Sequence, residues 1–256
     1  MDPIHIALLV LAGIVGGIIA TIVGGAAVVV YPALIASGVS PQLAAVCNLT
    51  ALMPASLLAA LSDHTQLPPL NRAFAGLVVT SVVGAGLGAS LLVLTPERMF
   101  SIFVPLLLAF ATVLFAFSER ISLWLRNRAA DRGHELTFSI ASLKMLLPVS
   151  FYGGYFGAGV GILMLGVFTV ATGGDYRSAN VTKNLVASMN GIATTTVFIV
   201  QGVVVWPQTL ALMAGTIIGG LIGARIARVI PRQVVRVLIV VVGAMLTIAF
   251  ARRYWF

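Results

Sequence analysis

The run Gly-Ala-Gly-Leu-Gly-Ala at residues 84–89 recurs further along the chain as Gly-Gly-Leu-Ile-Gly-Ala at residues 219–224. The match extends in both directions at nearly constant spacing. It pairs Gly16 with Gly153, Asn48 with Asn184, and Pro96 with Pro231. Self-similarity of this kind predicts two copies of one structural unit within a single chain.

The repeated unit is made of apolar segments. Of the 256 residues, 60% are hydrophobic and 9% are charged, and the mean hydropathy is +1.09. A soluble domain carries about 25% charged residues. Several segments reach the ~20 residues that cross a ~30 Å hydrocarbon core, so the sequence predicts an all-α integral membrane protein. The ten apolar runs are 4–20, 23–37, 43–61, 74–94, 99–117, 138–151, 160–171, 185–200, 210–227 and 234–250.

The halves are predicted to have opposite orientations in the membrane. Residues 1–117 form the first repeat, 118–137 a polar cytoplasmic linker and 138–256 the second repeat. Five segments per repeat is an odd number, so the second copy begins on the opposite side. The arginines agree with the positive-inside rule. With the linker inside, the outer loops keep only Arg98, Arg252 and Arg253, whereas the inner side holds Arg72, Arg120, Arg126, Arg128, Arg132, Arg177, Arg225, Arg228, Arg232 and Arg236.

Several function classes find no support in the sequence. The net charge of +8 is spread between apolar runs, so we expect no nucleic-acid partner. Cys47 is the single cysteine, and His5, His64 and His134 are far apart, so no metal, cofactor or enzymatic activity is expected. The first apolar run lacks a preceding Lys or Arg and is expected to remain in the protein rather than be cleaved as a signal peptide.

Glycines interrupt the first two apolar segments of each repeat. Residues 4–37 or 138–172 as one helix would be ~50 Å long, so each stretch either crosses twice or forms a re-entrant hairpin. Turns at 16–25 and 153–161 would present backbone N–H groups that attract anions. The alternative is close packing through small residues. The binding candidates in these turns are Thr21, Gly24, Gly25, Gly157, Gly159 and Gly161.

Asn48 and Asn184 occupy the same place in the two repeats, beyond a Gly-containing break. If Pro41 starts its helix, Asn48 lies ~10 Å into it and would donate hydrogen bonds to a bound anion. The alternative is a hydrogen bond between helices. Thr50, Thr182, Asn190 and Thr194 are further candidate donors on the same helices.

Lys183 directly precedes Asn184, at the position where the first repeat has Cys47. A lysine within an apolar segment is a functional candidate, because burial of its charge is costly. The alternative is that its long side chain extends to the cytoplasmic interface. Lys144 in the run 138–151 has the same two interpretations.

These features resemble the TauE/SafE family of sulfite exporters. The likeness is carried by residues 16–25, Pro32, 38–48 and 84–89, with their second-half counterparts 153–161, 173–184 and 219–224. The resemblance implies a permease that exports sulfite or an organosulfonate such as sulfoacetate. The second half departs at Thr169 and Lys183, where the first has Pro32 and Cys47, so we expect an asymmetric site that depends on Lys183.

The expected function is therefore transport of a small sulfur-containing anion across a bacterial inner membrane, by a multi-pass protein embedded in the lipid bilayer. An anion channel and a non-transporting scaffold remain as alternatives, and a homodimer remains open as the oligomeric state. All seven carboxylates lie outside or at the ends of the apolar runs. We therefore expect uniport, or coupling through protons carried by the substrate.

Overall fold

The computed structural model describes residues 2–22, 24–130, 140–172, 175–226 and 232–255. This part of the chain forms α-helices joined by turns and one short 3₁₀ helix at His64–Gln66, without strands. The helices are α1 (Pro3–Ile22), α2 (Ala27–Ala36), α3 (Pro41–Leu61), α4 (Arg72–Leu94), α5 (Glu97–Ala130), α6 (Ile140–Tyr155), α7 (Val160–Ala171), α8 (Tyr176–Val200), α9 (Trp206–Ile226) and α10 (Arg232–Trp255).

Each predicted apolar run corresponds to one of these helices, which confirms the all-α membrane class. Among the described residues, five helical segments are long and apolar enough to cross a membrane: Pro3–Ile22, Pro41–Leu61, Arg72–Leu94, Glu97–Ile121 and Arg236–Trp255. Large apolar side chains such as Leu87, Val237 and Met245 are exposed on the outside of the bundle. Lipid contact accounts for that exposure.

The second helix of each half is short. Helix α2 has 10 residues and α7 has 12, or ~15 and ~18 Å at 1.5 Å per residue. Neither alone crosses a core of ~30 Å. In each half, therefore, a longer helix is followed by one too short to span the membrane. This favours a re-entrant hairpin over two complete membrane crossings.

The chain breaks are narrower than the predicted turns. Helix α1 continues through Gly16 and Gly17 as far as Ile22, and α6 continues through Gly153 and Gly154 as far as Tyr155. Among the described residues, the left-handed backbone conformation occurs at Gly24, with φ +89°, in the first break and at two glycines in the second. Since that conformation strains other residues, these positions require glycine. In the second break they are Gly157 and Gly159.

Helices of one half pack mainly against helices of the other. Helix α1 packs along α9 and α6 along α4, while α3 lies against α8 and α9, and α8 against α3 and α4. The contact of α1 with α9 corresponds to that of α6 with α4, and the contact of α3 with α9 corresponds to that of α8 with α4. This exchange supports the duplication, and the inverted membrane orientation stays a prediction.

The division of the chain into two repeats and a linker at residues 118–137 also stays a prediction. Helix α5 extends beyond the apolar run and through residues 118–130. Other residues used in the sequence analysis lie outside the described part of the chain: Asp131, Arg132, His134, Glu135, Gly173, Gly174, Arg228 and Pro231.

The glycines of the repeated motif at 84–89 and 219–224 allow these helices to approach closely. A Cβ added to Gly84 would lie 2.7 Å from the Leu147 carbonyl oxygen, and one on Gly223 would lie 2.9 Å from the Ile18 Cα. Close backbone approach of this kind drives helix association in lipid, where the hydrophobic effect contributes little.

Two glycines of α4 provide a test of this packing. Gly88→Ala would place a methyl against the Phe151 carbonyl oxygen and 2.9 Å from the Tyr155 backbone nitrogen, whereas Gly86→Ala would meet nothing within 4 Å. Overpacking costs about 1–3 kcal/mol. We expect Gly88→Ala to lower the melting temperature of the detergent-purified protein and Gly86→Ala to maintain or raise it. Equal melting temperatures would contradict the proposed contact.

Candidate functional site

A cavity of about 100 Å³ lies between the two halves, where the chain breaks meet α3 and α8. One water needs about 10–15 Å³ measured in the same way, so the cavity is large enough for a small ion with some hydration. Small residues, including Ala20, Gly24, Gly153 and Gly157, form much of its wall. The polar side chains that line it are Asn48, Ser56, Lys183, Asn184, Asn190 and Thr194.

The two chain breaks are in direct contact beside the cavity. A Cβ added to Gly24 would lie 2.7 Å from the Cα of Gly161, which is the corresponding glycine of the second half. Ala27 and Val160, the first residues of α2 and α7, both line the cavity. Some first-turn N–H groups bond to carbonyls of the preceding turn, from Val28 to Gly25 at 3.3 Å and from Ile162 to Gly159 at 3.1 Å. The start of a helix still carries partial positive charge. Two positive helix ends therefore border the same small space.

Lys183 adds a full charge to this wall. Its side chain is 2% exposed, and Nζ has no hydrogen-bond partner among the described residues. The side chain therefore does not extend to the surface, which favours the ligand-binding interpretation. Lys144, by contrast, is exposed.

No carboxylate of the described chain pairs with Lys183. Asp2 precedes α1, Asp63 and Asp175 lie between helices, and Glu97 begins α5. Glu119, in the extension of α5, pairs with Arg236 instead. An unpaired buried cation is costly, so the site favours a ligand that brings negative charge.

Asn48 and Asn184 line the cavity from α3 and α8, and both are almost completely buried. The Oδ1 atom of Asn48 has no hydrogen-bond partner in the described structure. A hydrogen bond between helices therefore does not account for this oxygen. The duplicated asparagines thus contribute amides from both halves to one site.

Helix α8 is fixed at its start, which sets the position of Lys183 and Asn184. The Asp175 carboxylate accepts hydrogen bonds from the backbone N–H of Arg177 and from the Ser178 hydroxyl, at 3.0 and 2.6 Å. The Ser178 hydrogen bond is the largest cause of a lowered pKa of Asp175, which therefore stays ionised. Arg177 in turn forms an ion pair with Asp63, at 2.6 Å, and so connects α8 to the end of α3.

Asn190 also lines the cavity, and its side chain is held by two serines that the sequence analysis did not identify. The Ser81 hydroxyl donates to Asn190 Oδ1 at 2.8 Å and lies 2.7 Å from the Ser150 hydroxyl. All three residues are buried. The sequence feature that could have identified these serines is their position within otherwise apolar runs. Their contact with Asn190, however, depends on how α4, α6 and α8 pack.

The other predicted candidates are near the cavity but do not line it. Thr21 donates its hydroxyl to the Gly17 carbonyl at 2.9 Å, and Gly25 packs against the ring of Phe115. Gly159 caps α7 in the left-handed conformation. Thr50 and Thr182 are buried with hydroxyls that have no partner in the described residues. The candidates that line the cavity are Gly24, Asn48, Gly157, Gly161, Lys183, Asn184, Asn190 and Thr194.

A bundle of apolar helices around a polar cavity, at the point where two broken helices meet, defines a multi-pass membrane transporter. The described residues contain no group of three metal-ligating side chains. The comparisons with known proteins agree with that class.

Residues 9–250 match the family described as "Sulfite exporter TauE/SafE", and the chain belongs to this family, as the sequence resemblance predicted. It is 27% identical to "Probable membrane transporter protein ORF9" of Sinorhizobium sp, over 95% of this chain and 91% of the relative. It is 24% identical to "Probable membrane transporter protein" of Haemophilus influenzae, over 94% and 92%. "Probable membrane transporter protein YfcA" of Escherichia coli K12 is 24% identical, over 96% and 90%. No solved structure matches the chain.

Replacement of Lys183 tests the charge of the cavity. Lys183→Met removes the buried cation and keeps an unbranched side chain. We expect the anion-free variant to melt no lower than wild type, since an unpaired buried charge is destabilising. A ligand at 100 times its Kd stabilises by about 2.7 kcal/mol, and the variant should lose this response to sulfite. Thermal unfolding in detergent measures both effects. Lys144→Met is the control, and a full sulfite response in Lys183→Met would contradict the assignment.

Proposed function

We propose that this transporter carries a small sulfur oxyanion, sulfite or an organosulfonate such as sulfoacetate, out of the cytoplasm across a bacterial inner membrane. The observation that carries the proposal is the unpartnered, buried Nζ of Lys183 at a cavity bordered by the starts of α2 and α7. The family description supplies sulfite as the substrate. The chemistry of the cavity supports an anionic substrate, and the family description supports one that contains sulfur.

Electrostatics favours an anion over a neutral or cationic substrate. Lys183 and two helix N-termini bring positive potential into a region where lipid and protein screen charge weakly. An entering anion would compensate the lysine, and the amides of Asn48, Asn184 and Asn190, which line the cavity, have N–H groups that can donate to its oxygens. Each anion oxygen then exchanges water for a protein donor, which limits the cost of dehydration.

The placement of acids supports uniport or coupling through protons carried by the substrate. The described carboxylates do not line the cavity, so none is placed there to accept a proton or bind sodium. A weak-acid anion such as sulfite can itself carry a proton. Transport would then depend on pH through the protonation state of the substrate.

The function is tested by flux of radiolabelled sulfite in proteoliposomes, with sulfoacetate and sulfate as competitors. We expect saturable flux with counterflow in wild type. Lys183→Ala combined with Asn184→Ala should reduce it at least tenfold, because it removes the cation and an adjacent amide donor. Lys144→Ala, at an exposed lysine, should retain the flux.

Other outcomes would contradict specific parts of the proposal. Non-saturable flux without counterflow would indicate a channel, and absence of flux for every sulfur anion would overturn the substrate. Equal loss in the Lys144 control would show that the effect does not come from the cavity. Export is tested by comparing sulfite flux in the two directions through protein of known orientation in the vesicles. Flux only in the direction that corresponds to uptake into the cytoplasm would contradict export.

A further inference from the structure

An ion pair joins the end of α3 to the start of α8, and these are two of the helices that enclose the cavity. Arg177 Nε donates to Asp63 Oδ2 and Arg177 Nη2 donates to Asp63 Oδ1, both at 2.6 Å. A guanidinium that binds both oxygens of a carboxylate fixes the orientation of the two groups as well as their distance. In the predicted membrane orientation, this end of the bundle faces the cytoplasm.

The side of α8 that lines the cavity continues along the helix to this ion pair. Asn184, Ala187 and Gly191 line the cavity at spacings of three and four residues, which place them on one face. The same spacing, continued towards the helix start, reaches Asn180 and then Arg177. Oδ1 of Asn180 is buried and has no hydrogen-bond partner within the described part of the chain. A polar face therefore extends from the cavity to the start of α8.

The side of α3 that lines the cavity continues to the same place. Leu49, Met53 and Ser56 line the cavity, again at spacings of four and three residues. The next positions in this series are Ala60, which is completely buried, and Asp63, just beyond the end of the helix. Ala60 carries only a methyl group and occupies little space. The cavity-lining sides of both helices thus continue, with small or polar side chains, as far as the ion pair.

Two further contacts hold the start of α8 in place. The Tyr176 hydroxyl donates to the carbonyl oxygen of Ile22, the last residue of α1, at 3.2 Å. The Ser178 hydroxyl lies 2.8 Å from Oε1 of Gln66, in the short 3₁₀ helix that follows α3. These contacts are made by side chains, so they can break without unfolding a helix.

The opposite end of the bundle is held by different chemistry. By the repeat alignment, Asp63 and Arg177 correspond to Ile199 and Pro41, which cannot form an ion pair. There the Gln42 amide donates to two backbone carbonyls at the end of α4, at 2.6 and 2.8 Å. The ion pair, in contrast, is partly exposed, with 53% of the arginine and 25% of the aspartate side chain accessible. Water competes for such a pair, so this end opens more readily.

We propose that the anion moves between the cytoplasm and the cavity along the facing sides of α3 and α8, past Ala60 and Asn180, and that the Asp63–Arg177 ion pair is the gate of this passage. The inference rests on the proposed transport function and adds the route and its gate. While the pair is formed, the cavity is closed to the cytoplasm. When the pair breaks, the start of α8 separates from α3, and the Asn180 amide becomes available to donate to the passing anion.

Access of a thiol reagent to the cavity measures whether the gate is open. Cys47, the single cysteine of the chain, is first replaced by serine, and Ser56→Cys then places a thiol in the cavity wall. Membrane vesicles with the cytoplasmic face outward are treated with 2-sulfonatoethyl methanethiosulfonate, a membrane-impermeant reagent that carries a sulfonate. The measured quantity is the rate at which this thiol is labelled.

Asp63→Asn, added to this background, removes the charge of the carboxylate and keeps its shape. We expect labelling from the cytoplasmic face to become about fivefold faster, which corresponds to about 1 kcal/mol, the upper end of the range for exposed ion pairs. Asp63→Glu keeps a carboxylate and should retain the slow rate of the background. Labelling from the opposite face of the membrane should not become faster.

Glu119→Gln is the matched control. It removes the ion pair of Glu119 with Arg236, which joins α5 to α10, and neither helix contributes to the cavity wall. Its replacement should leave the labelling rate unchanged. An unchanged rate in folded Asp63→Asn, an equal rise in Glu119→Gln, or a rise only from the opposite face would overturn the inference.

Labelling does not require transport, which separates this inference from the proposed function. A protein that carries no sulfur anion contradicts the proposed function, while the labelling rates still test the gate. Saturable sulfite flux, together with a labelling rate that does not respond to Asp63→Asn, contradicts the inference alone.

Discussion

The structure depends on the need to shield broken helices from lipid. A membrane cannot satisfy the backbone hydrogen-bonding groups that are exposed where a helix stops, so such groups must be enclosed by protein. Here the two breaks enclose each other, with Gly24 against Gly161 and α3 and α8 around them. Contact at this distance is available only to glycine on both sides. The cavity is thus a consequence of how the breaks are covered.

Asymmetry is added to this nearly symmetric frame by a few side chains. The frame contributes matched elements, including the starts of α2 and α7 and the pair Asn48 and Asn184. Lys183 stands where the first half has Cys47, which is completely buried. One half therefore supplies the charge, and the other supplies an uncharged counterpart. A duplicated architecture can in this way hold a ligand that itself has no two-fold symmetry.

The sequence predicted the helices and several cavity residues, because hydropathy and repetition are properties of local segments. It placed Thr50 and Thr182 on the correct helices but not on the face that lines the cavity. Successive residues of a helix differ by about 100° in direction, and Thr50 and Thr182 each lie two residues from the asparagine of their helix, so they point away from the face that Asn48 and Asn184 occupy. Ser81 and Ser150 were missed because their partnership with Asn190 joins three helices that are distant in sequence. No pattern within one segment records that packing.

The exchange of helix partners between the halves has a consequence for biogenesis. Helix α1 is synthesised well before α9, yet it packs along that helix. The glycine-rich face of α1 therefore lacks its packing partner in the membrane until α9 has been inserted. The first half cannot complete its tertiary structure while it is being made, and assembly is a late event of the whole chain. Interrupted synthesis would leave a membrane-embedded fragment with an uncovered small-residue surface, a suitable target for membrane quality control.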